Sequence, residues 1–124
     1  MRPERKRVYE KFGGRCAYCG TELKKGWHID HIRPINRDFK YVRGKGFKAT
    51  GTCRNPENEN PENLNPSCAS CNIMKGSDSL EQFRRKIGHF VVSLNRDSTQ
   101  YKFAKRYGLI EETLKRVKFY YETL

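Results

Sequence analysis

The chain predicts an α+β fold held together by a metal ion rather than by a large core, and three features carry that expectation. Two Cys-x-x-Cys pairs, Cys16/Cys19 and Cys68/Cys71, bracket the middle of the chain. Between them, residues 27–32 have the β-branched and aromatic content of a short strand, stopped by Pro34. From Ser79 onward the apolar residues recur at helical spacing.

Composition agrees with a stapled domain. A chain of 124 residues suits one domain, and 35% hydrophobic against 32% charged residues leaves little apolar material to bury. Small, polar chains of this kind usually rely on a metal or another cross-link. Lys and Arg total 26 against 14 Asp and Glu, a formal charge of +12, so a polyanionic partner is expected, nucleic acid before an anionic membrane. No apolar run approaches the roughly 18 residues that a membrane span needs. The first residues lack the apolar segment of a secretory signal. The expectation is a cytoplasmic protein in a reducing compartment, with no membrane partner. Five cysteines, an odd number, also speak against a closed disulfide framework.

Taken in order, residues 1–14 read as a short helix with Val8, Tyr9 and Phe12 on one side and Gly13-Gly14 ending it. Residues 15–26 hold the first cysteine pair in a turn closed by Gly20. Residues 35–63 read as one long irregular segment. Its first half is basic and aromatic, and its second half is rich in Asn, Pro and Glu. A connection of that length in a small domain suggests function. Next, Asn65 as N-cap, Pro66 at the first helical position and Gly76 past the end predict a helix over residues 66–75. That helix would carry Cys68, Asn72 and Lys75 on one face. Further helices are expected over 79–94, 100–107 and 111–121, the last two broken near Gly108, with their Phe and Tyr residues in the core. The division is thus residues 1–78 as the functional domain and 79–124 as a helical extension packed on it.

The chemistry lies in three motifs. Two residues between thiolates let both reach one Zn²⁺ at about 2.3 Å, and two such pairs, about 48 residues apart here, complete a tetrahedron. Four ligands leave no open position, so that zinc is expected to be structural. Cys53 is left as a free thiol. Asp30-His31 lies between the pairs, and Asn72 directly follows Cys71. Phosphodiester hydrolysis needs a base for water and a cation for the developing negative charge. Histidine suits the first role near neutral pH. A carboxylate and an amide oxygen suit a hard ion such as Mg²⁺ for the second. Neighbouring strand residues point to opposite faces, so Asp30 and His31 converge only where the strand ends or twists. His28 and His89 read as surface or packing residues.

The order Cys-x-x-Cys, Ile-Asp-His-Ile-x-Pro, Asn-Leu-x-Pro-Ser-Cys-x-x-Cys-Asn-x-x-Lys-Gly, at residues 16–19, 29–34 and 63–76, resembles the HNH endonucleases with a ββα-metal core. Leu80-Glu81-Gln82-Phe83-Arg84, Tyr107-Gly108-Leu109 and Phe119-Tyr120-Tyr121-Glu122 more loosely resemble small HNH proteins encoded by bacteriophages. The resemblance implies a DNA endonuclease with His31 as general base and Asp30 and Asn72 as ligands of a catalytic Mg²⁺ or Mn²⁺. It also implies Asn63 as a structural residue and zinc on Cys16, Cys19, Cys68 and Cys71. Where the family often ends its motif on histidine, this chain has Asn72, and an amide oxygen favours the harder ion. The interval of about 31 residues between His31 and Asn63 is an insertion relative to compact members. Arg33, Arg37, Lys40, Arg43, Lys45, Lys48 and Lys75 are expected to contact phosphates. Two other readings stand beside this one. The first is a zinc ribbon that binds nucleic acid without cutting it. The second is a nuclease subunit active only with a partner, such as phage DNA-packaging machinery. A ribonuclease is a third.

Overall fold

A computed structural model describes residues 1–124. Its helices are α1 (Pro3–Glu10), α2 (Ala69–Lys75), α3 (Leu80–Gly88), α4 (Phe90–Asp97) and α5 (Thr99–Arg106). Its strands are β1 (His28–His31), β2 (Arg37–Val42), β3 (Gly46–Cys53) and β4 (Leu64–Ser67), with single 3-10 turns at Pro56–Asn58, Pro61–Asn63 and Tyr120–Thr123. The fold is mixed α/β, with two antiparallel two-stranded sheets, β1–β4 and β2–β3.

Helix α1 starts at Pro3, whose fixed φ and missing N–H suit a first turn. It buries Val8 and leans Tyr9 on Trp27, with ring centroids 5.7 Å apart. The Arg5 guanidinium also covers the indole, 3.9 Å from the ring centroid. Residues 15–22 then fold into a knuckle: Arg15 bridges Glu22, the Cys16 N–H donates to the Thr21 carbonyl at 2.8 Å, and the Gly20 N–H donates to that of Cys16 at 3.0 Å. The Ala17 N–H donates to the Pro66 carbonyl at 2.8 Å and docks the knuckle on β4. In the β1–β4 pair Ile29 faces Pro66, Asp30 faces Asn65 and His31 faces Leu64, and β4 runs through Cys68 straight into α2.

The core joins these parts around Val8, Ala17, Tyr18, Trp27, Leu64, Phe83 and Phe119. Phe83 and Phe119 stack at 5.1 Å, and the Tyr18 ring meets both edge-on at 5.6 and 5.4 Å. Only 18 of 124 residues are buried, which is why this core needs cross-links from elsewhere. The last residues return to the knuckle: the Tyr120 N–H donates to the Tyr18 carbonyl at 3.0 Å and the Tyr121 N–H to that of Ala17 at 2.9 Å. Gly20 permits the approach, because a Cβ there would come within 3.0 Å of the Tyr120 ring. Helices α4 and α5 contribute no buried residue.

Four sequence expectations are corrected. The helix predicted over 66–75 begins at Ala69. Asn65 and Pro66 belong to β4, where pairing with β1 and the bond from Ala17 outweigh their capping preference, and Cys68 takes the N-cap, its Sγ accepting from the Cys71 N–H. Residues 35–63 are not irregular throughout, since β2 and β3 form a hairpin turned by Gly44 and Gly46 at positive φ. The helix predicted over 79–94 breaks at His89 after Gly88, a poor helix former, into α3 and α4. No α-helix forms over 111–121. The Val117 carbonyl accepts from Arg84 Nη1 at 2.7 Å, and the Tyr121 N–H goes to Ala17, so the bonds of a helical turn are used elsewhere. Phe83 and Phe119 are core aromatics as expected, whereas Phe103 and Tyr107 are exposed. No helix is long and apolar enough to cross a membrane.

Candidate functional site

The knuckle and the N-terminus of α2 bring Cys16, Cys19, Cys68 and Cys71 together, with all four Sγ atoms within 4.8 Å of one another. Tetrahedral ligands about 2.3 Å from one ion stand roughly 3.8 Å apart. The Cys19 and Cys68 sulfurs are at 3.7 Å. In the thiol form these sulfurs compete for protons: the bond from Cys71 holds Cys16 down at about 4, and the same bond pushes Cys71 far up. A dication among four thiolates removes that competition. The donor set and spacing therefore fit a closed metal centre such as zinc. Cys53 ends β3 and stands outside the cluster.

Beside this centre is a cleft of about 250 Å³ whose lining includes Asp30, His31, Asn72, Ile35, Arg37 and Phe39. Strand β1 ends at His31 and the chain bends over the next two residues, so neighbours that would face apart reach one cleft. Asp30 is 5% exposed. Its Oδ2 accepts from the Tyr18 hydroxyl and lies 3.2 Å from Lys75 Nζ, while Oδ1 has one long contact, 3.5 Å, to the same ammonium. Burial raises its pKa above the ordinary range, opposed by the Tyr18 bond and the Lys75 charge. Burial also raises the Tyr18 hydroxyl, with the Asp30 charge adding to it, so this phenol stays a donor. His31, its side chain 16% exposed, pairs Nε2 with Glu59 Oε1 at 2.8 Å, and Nδ1 makes no hydrogen bond to the protein. The half-buried Asn72 side chain is likewise free of protein hydrogen bonds.

Asn63 is 3% exposed, and its amide is consumed by backbone. Its Oδ1 accepts from the Arg33 N–H at 2.9 Å, and Nδ2 donates to the Arg33 and Asn58 carbonyls at 2.8 and 2.7 Å. It clamps the strand end after His31 to the turn that presents Glu59. That is a structural placement, outside the cleft lining.

Lys75 requires a correction. It is 1% exposed, and its ammonium donates to the His31 carbonyl at 2.9 Å besides meeting Asp30. Three atoms at the strand end hold it inward, so it has no reach toward a phosphate. Arg33, Arg37, Lys40, Arg43, Lys45 and Lys48 are all exposed, and of these Arg37 lines the cleft. His28 and His89 are exposed and make no side-chain contact of this kind.

Two residues of the site were not singled out from sequence. Tyr18 had a weak signal, an aromatic between two metal-binding cysteines. Glu59 had none, since nothing in its Asn-rich loop points back to a histidine 28 residues away. Compared with family models, curated proteins and solved structures, the chain matches none.

Proposed function

We propose that this chain is a metal-dependent DNA endonuclease of the HNH type, in which β1, β4 and α2 form the ββα unit and a zinc on the four cysteines is structural. The observation that carries this reading is the convergence of Asp30, His31 and Asn72 on one cleft.

The residues divide the work of phosphodiester hydrolysis. With Nε2–H donating to Glu59, the free Nδ1 lone pair of His31 is the base that takes a proton from the attacking water. Glu59 fixes the tautomer and favours the imidazolium that follows. Asp30 Oδ1, held only by the long contact to Lys75, and the Asn72 amide oxygen are the available donors, a pair that fits Mg²⁺ or Mn²⁺. When bound, such an ion supplies charge stabilisation for the phosphoryl and leaving oxygens. Tyr18 and Lys75 hold the carboxylate in place and offset its burial. Arg37 on the rim, with the exposed basic residues beyond it, attracts the DNA backbone.

The test is plasmid nicking at low salt by zinc-loaded wild type and His31→Ala, with Mg²⁺ or Mn²⁺ added or omitted. Conversion of supercoiled to open-circular plasmid by wild type alone, and only with the added ion, supports the reading. Folded, zinc-loaded wild type that binds DNA and never cuts it overturns it in favour of a binding module.

A further inference from the structure

The β2–β3 hairpin has no core of its own, yet it stays aromatic. Phe39, Tyr41 and Phe47 are 61%, 67% and 74% exposed. Tyr41 faces Phe47 across the strands and Phe39 faces Ala49, so by strand alternation the three rings share one face. Lys40 faces Lys48 on the opposite face. Tyr41 and Phe47 meet edge-on at 5.6 Å, a contact that takes one ring face and leaves both residues mostly exposed. An isolated two-stranded ribbon with two wet faces is marginal in water, so three large aromatics on it call for a partner.

Two features identify that partner. From Arg37 to Arg54 the segment carries six basic side chains against the single acid Asp38, whose carboxylate already accepts from the Thr52 hydroxyl at 2.9 Å. The arm also continues the cleft, since Arg37 and Phe39 line it together with Asp30, His31 and Asn72. At about 3.3 Å per residue the strand carries Tyr41, with Phe47 beside it, about 13 Å beyond Arg37, while Phe39 stands in the cleft wall itself. Lysines for phosphates beside open rings for bases are what an unpaired strand requires.

We propose that the β2–β3 hairpin is a base-stacking arm that holds unpaired DNA nucleotides on Phe39, Tyr41 and Phe47, directing the cleft to phosphates at single-stranded or branched positions. This deepens the nuclease reading and rests on it. In a perfect duplex the base faces are stacked and hidden, so the arm discriminates by DNA structure rather than by sequence.

The test uses the full zinc-loaded chain without added Mg²⁺, and fluorescence anisotropy of a mixed-sequence single strand, the matching duplex, a duplex with a central bubble, and a single strand of RNA. Phe39→Ile/Tyr41→Ile/Phe47→Val keeps strand propensity and removes the rings. It should weaken single-strand and bubble binding at least about tenfold and leave duplex binding within about threefold. Lys40→Gln/Lys48→Gln should weaken every arm alike and flatten the salt dependence. Equal losses on duplex and single strand, no loss on either, or RNA held as well as DNA and lost in parallel would overturn the proposal. Plasmid nicking is scored on the same variants. If nicking of plasmid persists while the ring variant binds like wild type, the arm is refuted and the nuclease stands. If wild type neither nicks nor binds, both readings fall.

Discussion

Replacing Lys75 by Met keeps the apolar stem of a fully buried side chain and removes its charge. What remains is the Asp30 carboxylate, 6% exposed at its side chain, with the Tyr18 hydroxyl as its one partner, and a His31 carbonyl without its donor. At 3.2 Å and an effective dielectric of about 20, the lost attraction is roughly 5 kcal/mol. Removing one member of a buried pair typically costs about 3–5 kcal/mol. Both routes give a loss that is large against the roughly 5–15 kcal/mol that holds a domain together. At about 4 °C per kcal/mol for a chain of this size, the melting temperature should fall by about 12–20 °C. The assay is thermal and urea unfolding followed by circular dichroism, with zinc stoichiometry held equal. A double-mutant cycle with Asp30→Asn completes it: Lys75→Met/Asp30→Asn should be more stable than Lys75→Met alone, with a coupling of at least about 2 kcal/mol. A single-mutant loss under about 1 kcal/mol, the range of exposed pairs, would refute the buried placement of the ammonium. So would additive losses.

Native mass spectrometry should show one zinc per chain, and a chelator or Cys68→Ser should lower the melting temperature by more than about 10 °C. Metal-free protein with unchanged melting would dismiss the staple. Asn63→Ala strands the Arg33 N–H and the Arg33 and Asn58 carbonyls and should cost about 2–3 kcal/mol in urea unfolding; a loss under about 0.5 kcal/mol would contradict the clamp. Glu59→Ala should slow nicking about tenfold, less than His31→Ala, with melting unchanged because Glu59 is half-exposed. Parity with His31→Ala, or no effect, would remove Glu59 from the site. Glu122, held by Arg84 at 2.6 Å, has its pKa lowered by that bond, so the stability it contributes is present above its ordinary 4.5 and disappears as pH falls through its lower folded value. The melting-temperature gap between wild type and Glu122→Gln should therefore be full at about pH 6 and shrink as pH falls below Glu122's ordinary 4.5. A gap that widens on acidification would reverse the sign.

Motifs whose spacing is itself the physics were legible in the sequence. The two cysteine pairs had to meet because two residues between thiolates fit one ion, and Gly76 ends α2 because its backbone adopts positive φ. Asp30, His31 and Asn72 were legible as chemistry, but their convergence depended on where β1 stops. Two of the misreadings share one cause, competition from distant backbone. Asn65 and Pro66 look like a helix start, yet β1 lies alongside to pair with them. Residues 111–121 have helical periodicity, yet Arg84 and Ala17 take their hydrogen bonds first. Lys75 carries a charge that sequence alone places in solvent. The Asp30 carboxylate and the His31 carbonyl at the end of β1 explain why it turns inward. The hairpin was read as loop because its alternation puts aromatics on one face and lysines on the other, and neither face is the hydrophobic stripe of a strand packed on a core.

Tyr18 belongs to three structures at once. It sits between two of the metal-binding cysteines, packs edge-on against Phe83 and Phe119, and donates to Asp30. A side chain so shared has no intermediate setting. With zinc on the four cysteines, as proposed, molecules that lose the ion should lose the knuckle that aims the phenol, while loaded neighbours in the same tube are untouched. A half-loaded preparation is thus a mixture of two kinds of molecule rather than one kind at half strength. On the proposed nuclease reading, turnover per zinc should stay constant while turnover per chain falls in proportion.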